Sequence, residues 1–412
     1  MKYKIASFFI YSFFLCLVSS AYAQNNDSVR AANWPKHPQD VKDIIADSSK
    51  PQKIKTISFR VLGFVKLMAT GDWGNVMKST DFITSLIPIY PDPREKEFRF
   101  SLDPRSSRIA FKGLYQVTDK NKLLMYLEMD FYNPAQQTSV VPYLRHAYAA
   151  YGKFLMGKTW STIYNVDATP NQVDLEGPNS IPALHNPQIR FTQYFKRNYS
   201  FAFAIESHLE DYTPYPEIDE DKDFQLIPDV TAYFQKQGAW GNIRLAGVLS
   251  NISYTDSLNQ NADHLTGWGV NFSGYLKFLK RETIWDAFYW GFTYGKGISY
   301  YIQDISGAGY EAMPDKYNDM SMLPALAGFV AYKHAWSKQM ETNLIASYVA
   351  LNNSQIDDEM VFDHSWYYAA NLMYNPNERM NFGIEFLYGK NTNKKQDWGE
   401  GYRIQLMGVY FF

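Results

Sequence analysis

Cysteine is almost absent from this sequence: there is one among 412 residues, Cys16, and it lies in an apolar stretch near the N-terminus. Removal of that stretch as a leader would leave a mature chain without any thiol. Disulfide bonds, a cysteine nucleophile and cysteine metal ligands would then be excluded. Leu15 precedes Cys16 where a lipoprotein signal has a small residue, so we do not expect a lipid anchor at this position.

Long apolar runs and an excess of one charge are also absent. After the apolar N-terminal stretch, no segment reaches the roughly 18 apolar residues that a membrane-spanning helix needs. The 40 Lys and Arg residues are balanced by 42 Asp and Glu residues, which gives a net charge of −2. A broad electrostatic attraction to nucleic acid is therefore not expected.

The motifs of common enzymes and cofactor sites are missing as well. We find no G-x-S-x-G, no H-E-x-x-H and no phosphate-binding glycine loop. The 7 histidines are scattered without metal-ligand spacing. The sequence therefore predicts a protein that is not an enzyme and that binds no cofactor or metal. A search for short motifs does not detect membrane-barrel proteases and phospholipases, because their catalytic groups are spread along the chain.

The N-terminus has the three parts of a secretory signal peptide. Lysines precede an apolar run over residues 5–18, and an A-x-A cleavage site follows at Ala21–Ala23. We therefore predict a signal peptide over residues 1–23 and an exported mature protein that begins at Gln24, with an uncleaved anchor as the alternative. Residues 24–56 contain prolines and mixed charge with little periodicity, which predicts a loosely ordered periplasmic N-terminal extension.

Aromatic residues make up 17% of the chain, although the mean hydropathy is only −0.36. Alternating apolar and polar residues explain this combination, as in KLLMYLEMDFY (122–132), GWGVNFSGYLKF (267–278) and MNFGIEFLYGK (380–390). Strands of this length cross a bilayer at a tilt, with one face towards lipid and the other towards a lumen. The pattern predicts an all-β protein, a transmembrane antiparallel β-barrel, with a water-soluble all-β protein as the alternative.

The alternating segments are joined by two kinds of connection. Tight turns such as VTDKN (117–121) and KRN (196–198) are rich in turn residues, whereas the other connections are long. Short turns on one side and long loops on the other are typical of outer-membrane barrels. We therefore predict a barrel over residues 57–412, with periplasmic turns and extracellular loops. The 16 predicted strands are 57–69, 98–113, 121–132, 142–151, 153–160, 187–196, 199–208, 226–236, 240–254, 265–279, 284–302, 323–336, 338–352, 362–374, 380–392 and 401–412.

The last strand, GYRIQLMGVYFF (401–412), has an apolar residue at every second position and ends on Phe412. We expect it to pair with the first strand, because closure removes both edges of the sheet. This strand also resembles the C-terminal signal that outer-membrane barrels present to the barrel assembly machinery.

Distinctive local sequences recur over nearly all of the chain after residue 57. They are RVLGFVKL (60–67), RSSRIAFKG (105–113), LRHAYAAYGKFLMGKTWST (144–162), VDLEGPNS (173–180), NPQIRFTQ (186–193), GWGVNFSGY (267–275), FTYGKGISYYI (292–302), GIEFLYGK (383–390) and GYRIQLMGVYFF (401–412). In this order they resemble the DcaP-like outer-membrane porins. The resemblance implies a sixteen-stranded, trimeric barrel that passes small, often anionic solutes such as dicarboxylates. The chain lacks the long heptad-patterned segment that some members carry before the barrel, so a coiled coil is not expected to support the trimer.

Charged residues on the polar strand faces are the candidate lining of the lumen, because a channel selects ions through charges at close quarters. Basic residues outnumber acidic ones on these faces, which favours anions, and arginine suits the capture of carboxylates. Arg108, Arg145 and Arg190 rank first, since their strands adjoin the third long loop; for each, a structural ion pair is the alternative. The basic residues are Arg60, Lys66, Arg108, Lys112, Arg145, Lys158, Arg190, Arg244, Lys277, Lys333 and Arg403, and the acidic ones are Glu128, Asp130, Glu206, Asp229, Glu341 and Glu385.

The third long loop, residues 161–186, carries Asp167, Asp174 and Glu176. We predict that this loop folds into the barrel and that its acids face the arginines, so that a transverse field orients a dipolar solute. An outward, solvated loop is the alternative. We interpret the acidic run EIDEDKD (217–223) in the next loop as a solvated segment, with a divalent-cation site as the alternative.

The segment LRHAYAAY (144–151) contains a conflict, because a regular strand sends the neighbours Arg145 and His146 to opposite faces. If Arg145 faces the lumen, His146 faces outward, where contact with lipid is costly and a subunit interface would relieve it. The alternative is the opposite phase, with Arg145 in the interface.

We therefore predict a passive porin in the outer membrane of a Gram-negative bacterium. It is a homotrimer that contacts membrane lipid and lipopolysaccharide and passes small hydrophilic, anionic solutes. One alternative is a specific channel with a saturable sugar or peptide site built on aromatic residues such as Trp160 and Tyr164. A structural or adhesive barrel is the other.

Overall fold

A computed structural model describes residues 57–75, 81–90, 98–118, 121–132, 141–208, 211–216, 225–255, 262–281 and 284–412. The predicted signal peptide, the predicted periplasmic extension and the acidic run 217–223 lie outside the described residues. In the part of the chain that is described, no helix is long and apolar enough to cross a membrane.

The regular secondary structure of the described chain is almost entirely β-strand. They are β1 (Ile57–Gly74), β2 (Arg99–Asp103), β3 (Arg108–Gln116), β4 (Lys122–Asp130), β5 (Tyr143–Tyr151), β6 (Phe154–Trp160), β7 (His185–Phe195), β8 (Tyr199–Glu206), β9 (Asp229–Gly238), β10 (Gly241–Thr255), β11 (Ala262–Arg281), β12 (Ile284–Lys296), β13 (Ala312–Pro314), β14 (Met320–Met322), β15 (Pro324–Ala335), β16 (Met340–Leu351), β17 (Phe362–Asn377), β18 (Met380–Asn393) and β19 (Trp398–Phe411). Single 3-10 turns lie at Thr84–Leu86, Val166–Ala168, Lys196–Asn198, Ser299–Tyr301 and Gln303–Ile305.

One antiparallel sheet of 17 strands closes on itself to form a barrel. The closing pair is β1 with β19, in register from Phe64↔Phe411 to Gly74↔Gly401. Both β2 and β3 pair with β1, so these two strands are the halves of one crossing that is interrupted at residues 104–107. The barrel therefore has 17 − 1 = 16 crossings, which confirms the predicted fold class and strand number. The remaining pair, β13 with β14, is a hairpin within a long loop.

The two ends of the barrel carry different connections. Short turns such as Lys196–Asn198 join strands at one end, which we name the turn end. Long connections such as residues 161–184 and 297–323 lie at the other, which we name the loop end. One predicted strand, 284–302, is shorter in the structure: β12 ends at Lys296, because Gly297 has a φ of +67° and turns the chain into the loop.

Side chains alternate between the two faces of each strand. In β1, Val65 and Leu67 are 58% and 49% exposed, whereas Lys66 between them is 6% exposed. The outward face suits hydrocarbon. The interior is not empty at the loop end, because segments of the long loops pack against the inner wall there. The largest cluster of this kind contains Phe82, Ile87, Tyr164, Ile181, Phe329, Ala331, Ile345, Tyr367, Ala369 and Leu387.

A buried ion pair links the strands that close the barrel. Arg403 of β19 is 0% exposed, and its guanidinium donates to Asp72 of β1, with Nη2 3.0 Å from Oδ2. We expect Asp72→Ala to lower the free energy of unfolding by about 3–5 kcal/mol, because it takes a carboxylate partner away from a buried cation. Unfolding by urea in lipid vesicles measures the change. The control is Asp397→Ala, which removes exposed contacts with Lys395 and the Tyr90 hydroxyl and is expected to change the stability far less. Equal losses in the two variants would contradict a structural role for the buried pair.

Candidate functional site

The connection between β6 and β7 runs across the inside of the barrel. We name residues 161–184 the inner loop; residues 185–186, predicted as part of it, belong to β7. Its middle reaches the far wall, where the backbone N–H of Asp174 donates to Glu385 Oε1 of β18 at 2.7 Å. Lys66 Nζ of β1 donates to the carbonyl of Val173 at 3.4 Å. The loop therefore spans the lumen from one wall to the other.

Two buried arginines hold the start of the inner loop. Arg244 donates to the carbonyl of Tyr164 at 2.7 Å, and Arg190 donates to the carbonyl of Trp160. Arg190 and Arg244 are 5% and 2% exposed, and the Arg244 guanidinium also lies 4.0 Å from the centre of the Tyr233 ring. Both arginines point inward, as the strand pattern predicts, but the loop covers them.

The acids of the inner loop face other loops and the far wall. Asp174 accepts a hydrogen bond from the Tyr367 hydroxyl at 3.0 Å, and Glu176 accepts one from the Gln303 amide at 2.9 Å. Burial raises the pKa of Asp174, and burial with the neighbouring carboxyls raises the pKa of Glu176 well above its usual range. Asp167 is half-buried and accepts from Asn242 at 3.2 Å. The sequence predicts that these three acids face the arginines. The hydrogen bonds described here join them instead to Tyr367, Gln303 and Asn242.

A single carboxylate joins three loop segments at the loop end. Asp304 accepts hydrogen bonds from Thr84 Oγ1 at 2.8 Å, from the Ser85 N–H at 3.0 Å and from Ser365 Oγ at 2.6 Å. Its own N–H donates to the carbonyl of Asn179 in the inner loop at 2.9 Å. Burial raises the pKa of Asp304. Sequence reasoning missed this residue, because its partners lie far from it along the chain and no motif marks them.

A second buried cluster fastens the loop after β12 to the wall. The His208 ring bridges two carboxylates, with Nδ1 2.9 Å from Asp229 and Nε2 3.3 Å from Glu311. Burial lowers the pKa of His208, but the hydrogen bonds to these carboxylates outweigh burial and raise the pKa to about 11. The raised pKa favours the imidazolium form, which holds Glu311 against β9.

Three arginines line the interior on and beside strands β3 to β5. We name Arg105, Arg108 and Arg145 the arginine row. Arg108 pairs with Glu128 at 2.8 Å, Arg145 pairs with Asp130 at 2.8 Å, and Arg108 also approaches Asp130 at 3.4 Å. Arg105, which sequence reasoning missed, pairs with Asp103 at 2.7 Å. Its guanidinium lies 5.3 Å from the centre of the Tyr132 ring, and Arg145 donates to the carbonyl of the same Tyr132 at 3.4 Å.

The two partners in each of these ion pairs differ in exposure. The Arg108 and Arg145 side chains are 18% and 17% exposed, whereas those of Glu128 and Asp130 are 2% and 0% exposed. The carboxylates lie behind the guanidinium groups, against the wall. The part of each pair that borders the open interior is therefore cationic.

A β-bulge resolves the conflict in strand β5. The β4–β5 ladder shifts its register after Glu128, which pairs with His146, so Arg145 is an extra residue in β5. Arg145 and His146 therefore both point inward, Arg145 to Asp130 and His146 to Thr159, with Nδ1 3.0 Å from Oγ1. The prediction that His146 faces lipid or a subunit interface when Arg145 faces the lumen is wrong. It assumed an uninterrupted period of two.

Two lysines predicted for the inner face lie in different surroundings. Lys66 faces inward, but the inner loop covers it. Lys158 pairs with Ala147 and Pro187 in phase with Met156, which is 63% exposed on the outward face. The Lys158 amine nevertheless lies 5.3 Å from the centre of the Tyr143 ring, which the Arg145 guanidinium also contacts at 4.8 Å. Among the described residues, no group of three or more His, Cys, Asp or Glu side chains could hold a metal ion.

A closed barrel of sixteen antiparallel crossings, with an apolar outer face and a long loop folded inside, is the architecture of outer-membrane porins. The chain belongs to the DcaP outer membrane protein family, whose model matches residues 21–412. It is thus a member of a family of outer-membrane proteins. A comparison with curated proteins gave no match.

Several solved structures are similar to this barrel. The outer-membrane channel DcaP of Acinetobacter baumannii has a TM-score of 0.72 at 18% identity and covers 87% of this chain and 99% of its own. An anion-selective porin from Comamonas acidovorans has a TM-score of 0.54 at 11% identity, covering 87% and 100%. The trimer form of OmpT from Vibrio cholerae has a TM-score of 0.52 at 12% identity, covering 87% and 100%. At these identities the likeness concerns the fold.

Proposed function

We propose that this protein is a passive, anion-preferring porin for small hydrophilic solutes, dicarboxylates among them. After removal of residues 1–23 it acts as a homotrimer in the outer membrane, in contact with phospholipid and lipopolysaccharide, with the loop end outside the cell. The single observation that carries the proposal is the arginine row, whose partly exposed guanidinium groups border the interior while their carboxylates are buried behind them.

The electrostatics of the interior support an anion preference. A guanidinium at the surface of a narrow, low-dielectric passage lowers the barrier for an anion more than a carboxylate behind it raises that barrier. Burial and hydrogen bonds tie Asp174 and Glu176 to the loops and the far wall. Their raised pKa values reduce the negative charge that would oppose the arginine row. An anion-selective porin is also among the structures similar in fold.

The aromatic alternative is weaker than the sequence suggests. Tyr164 is 7% exposed, and its ring packs 5.0 Å from the Trp160 ring, which in turn stacks on His185 at 3.6 Å. Aromatic faces that are covered by one another do not offer a platform to a sugar. A channel with a sugar site on these residues is therefore the less supported function.

The test is the reversal potential of purified protein in a planar bilayer under a salt gradient. We expect conductance in groups of three equal steps and a reversal potential of the sign that anion permeation produces. Succinate added to one side is expected to reduce the current by occupying the passage. A reversal potential of the opposite sign would reject the anion preference, and correctly inserted protein without current would reject the channel.

A further inference from the structure

The two ends of the barrel carry charges of opposite sign. The long connections at the loop end are rich in acids, as in EIDEDKD (217–223) and DDE (357–359). The turn end is basic, and within the described residues its turns contain one acid, Glu378. A basic end of this kind fits an anionic partner. The exposed cations at the turn end are Lys153, Lys196, Arg197, Lys236, Lys277, Lys280, Arg281, Lys338 and Arg379.

A buried carboxylate organises one group of these cations. Asp286 of β12 is 1% exposed and forms an ion pair with Arg281, whose Nη2 also donates to the carbonyl of Ala335 at 2.9 Å. The Tyr332 hydroxyl donates to Asp286 Oδ2 at 2.7 Å, and His334 Nδ1 lies 3.1 Å from the same oxygen. Arg281 therefore reaches from the end of β11 across β12 to the end of β15, and the three strand ends form one unit.

This unit faces away from the lumen. His334 is in phase with Val330, which is 38% exposed on the outward face of β15. The Arg281 side chain is 45% exposed, whereas Asp286 lies beneath it. Lys280 is exposed as well, with its amine 5.4 Å from the centre of the Trp285 ring. The cations therefore form the outer surface, and the carboxylate holds them from behind.

Large apolar side chains surround these cations. Leu279 is 63% exposed, Trp336 is 57% exposed and Trp285 is 37% exposed. The Trp336 ring packs edge-on against the His334 ring, with the centres 4.3 Å apart. Tryptophan beside lysine and arginine is typical of the boundary between hydrocarbon and headgroups. We name the group the turn-end cluster; its members are Lys280, Arg281, Trp285, Asp286, His334 and Trp336.

Positive charge exceeds negative charge in and beside the turn-end cluster. Lys338, in the neighbouring turn, adds a third cation to Lys280 and Arg281. Two acids oppose them if Glu282 is counted, which follows Arg281 in the sequence and lies outside the described residues. The surplus of one unit charge favours an anion over a neutral or zwitterionic group.

The depth of the turn-end cluster follows from aromatic rings at the loop end. Trp268 of β11 and Tyr294 of β12 lie 5.8 Å apart, and such rings mark the upper edge of the hydrocarbon. Phe278 is ten positions further along β11. At about 3.3 Å per residue and a tilt of about 45°, this is a rise of roughly 23 Å, close to the ~25 Å apolar band. Lys280 and Arg281, which follow Phe278, therefore lie at the headgroups of the opposite leaflet.

We propose that the turn-end cluster binds an anionic glycerophospholipid of the periplasmic leaflet through its phosphate. The inference rests on the proposed function in placing the turn end at the periplasmic face. Guanidinium and amine donors suit phosphate oxygens. Trp285 and Trp336 then lie where the acyl chains begin. A phosphatidylglycerol headgroup fits better than phosphatidylethanolamine, because the ethanolamine ammonium would be repelled by Lys280 and Arg281.

A lipid accounts for more of the turn-end cluster than a soluble anion does. Free phosphate would contact the cations alone and leave the exposed Leu279 and Trp336 side chains without an apolar partner. A lipid offers a phosphate and two acyl chains at the spacing that this depth requires. The cations and the apolar side chains are then used together.

Native mass spectrometry tests the lipid preference. The purified full-length protein is incubated with equal amounts of phosphatidylglycerol and phosphatidylethanolamine that carry the same acyl chains. The unmodified protein is expected to retain mainly phosphatidylglycerol. Lys280→Gln and Arg281→Gln are each expected to lower the ratio of the two adducts by about fivefold, the effect of one cation at a membrane surface. Lys280→Gln keeps the pair of Arg281 with Asp286, so it reports on the lipid if Arg281→Gln does not fold.

Lys390→Gln is the matched control. The Lys390 amine lies 4.6 Å from the centre of the Trp398 ring at the loop end, a setting like that of Lys280 on Trp285. Its neighbour across the β18–β19 ladder is Glu400, which offsets the charge. The adduct ratio should therefore stay within about 1.5-fold of the unmodified protein.

Four results would overturn the proposal. They are equal retention of both lipids by the unmodified protein, an unchanged ratio in Lys280→Gln, an equal loss in Lys390→Gln, and displacement of the lipid by millimolar inorganic phosphate. The last result would assign the cluster to a free anion. Conductance of the same variants separates this inference from the proposed function. Anion-preferring channels without a lipid preference would reject the lipid site alone, and a lipid preference in protein that carries no current would reject the channel alone.

Discussion

Replacement of residues 169–180 by a short Gly/Ser linker is expected to raise the single-channel conductance by about three- to tenfold, because the inner loop occupies the lumen. A short linker is able to join the two ends, since Ala168 and Ile181 line the same small cavity. The replacement removes the segment that reaches Glu385 on the far wall and Tyr367 beside it. It keeps the start of the loop, which Arg244 holds through the Tyr164 carbonyl.

The control is a Gly/Ser replacement of the exposed turn at residues 315–319, between β13 and β14. Tyr317 in this turn is 72% exposed, and the turn is held mainly by hydrogen bonds to Asp315. Conductance should therefore stay within about twofold of the unmodified protein, because nothing is removed from the lumen. Unchanged conductance in the inner-loop variant as well would mean that ions follow a path the inner loop does not narrow.

The alternation of apolar and polar residues along the strands predicts the fold well, because it depends only on whether each residue faces lipid or the lumen. Each residue of a strand between lipid and lumen experiences one of two surroundings, so the sequence of β1 alone assigns Val65 outward and Lys66 inward. The regular alternation of short and long connections also predicts how many times the chain crosses the membrane. The same reasoning fails at His146, because the bulge at Arg145 turns both neighbours inward.

The candidate site is less predictable, because loops assemble it across the lumen. Asp304 binds Thr84 and Ser85, which are separated from it by 220 and 219 positions. No periodic pattern relates residues that far apart. Arg105 was missed for a different reason: it lies in the interruption between β2 and β3, where the sequence predicts one continuous strand. The burial of Arg190 and Arg244 was not predicted either, because it depends on where the inner loop lies inside the barrel.

Arg145→Gln is expected to lower the anion-to-cation permeability ratio by about three- to fivefold, because it removes one unit of positive charge from the border of a narrow passage. The barrel should keep its fold, since Asp130 still faces Arg108 with Oδ2 3.4 Å from Nε. The reversal potential in a salt gradient measures the ratio. Arg145→Lys keeps the charge and should retain most of the selectivity, although it loses the guanidinium geometry.

The matched control for this prediction is Lys277→Gln, near the turn end. Lys277 is exposed in β11, close to the ring of Tyr275, with Nζ 5.9 Å from the ring centre. Water and salt screen a charge at the rim of the barrel, so its removal should leave the reversal potential almost unchanged. A shift in Arg145→Gln that Arg145→Lys reverses and Lys277→Gln lacks would assign anion selection to the arginine row. Arg145→Gln could instead keep the selectivity and only lower the stability of the barrel in urea. The arginine row would then stabilise the wall, and a charge elsewhere in the lumen would select the ion.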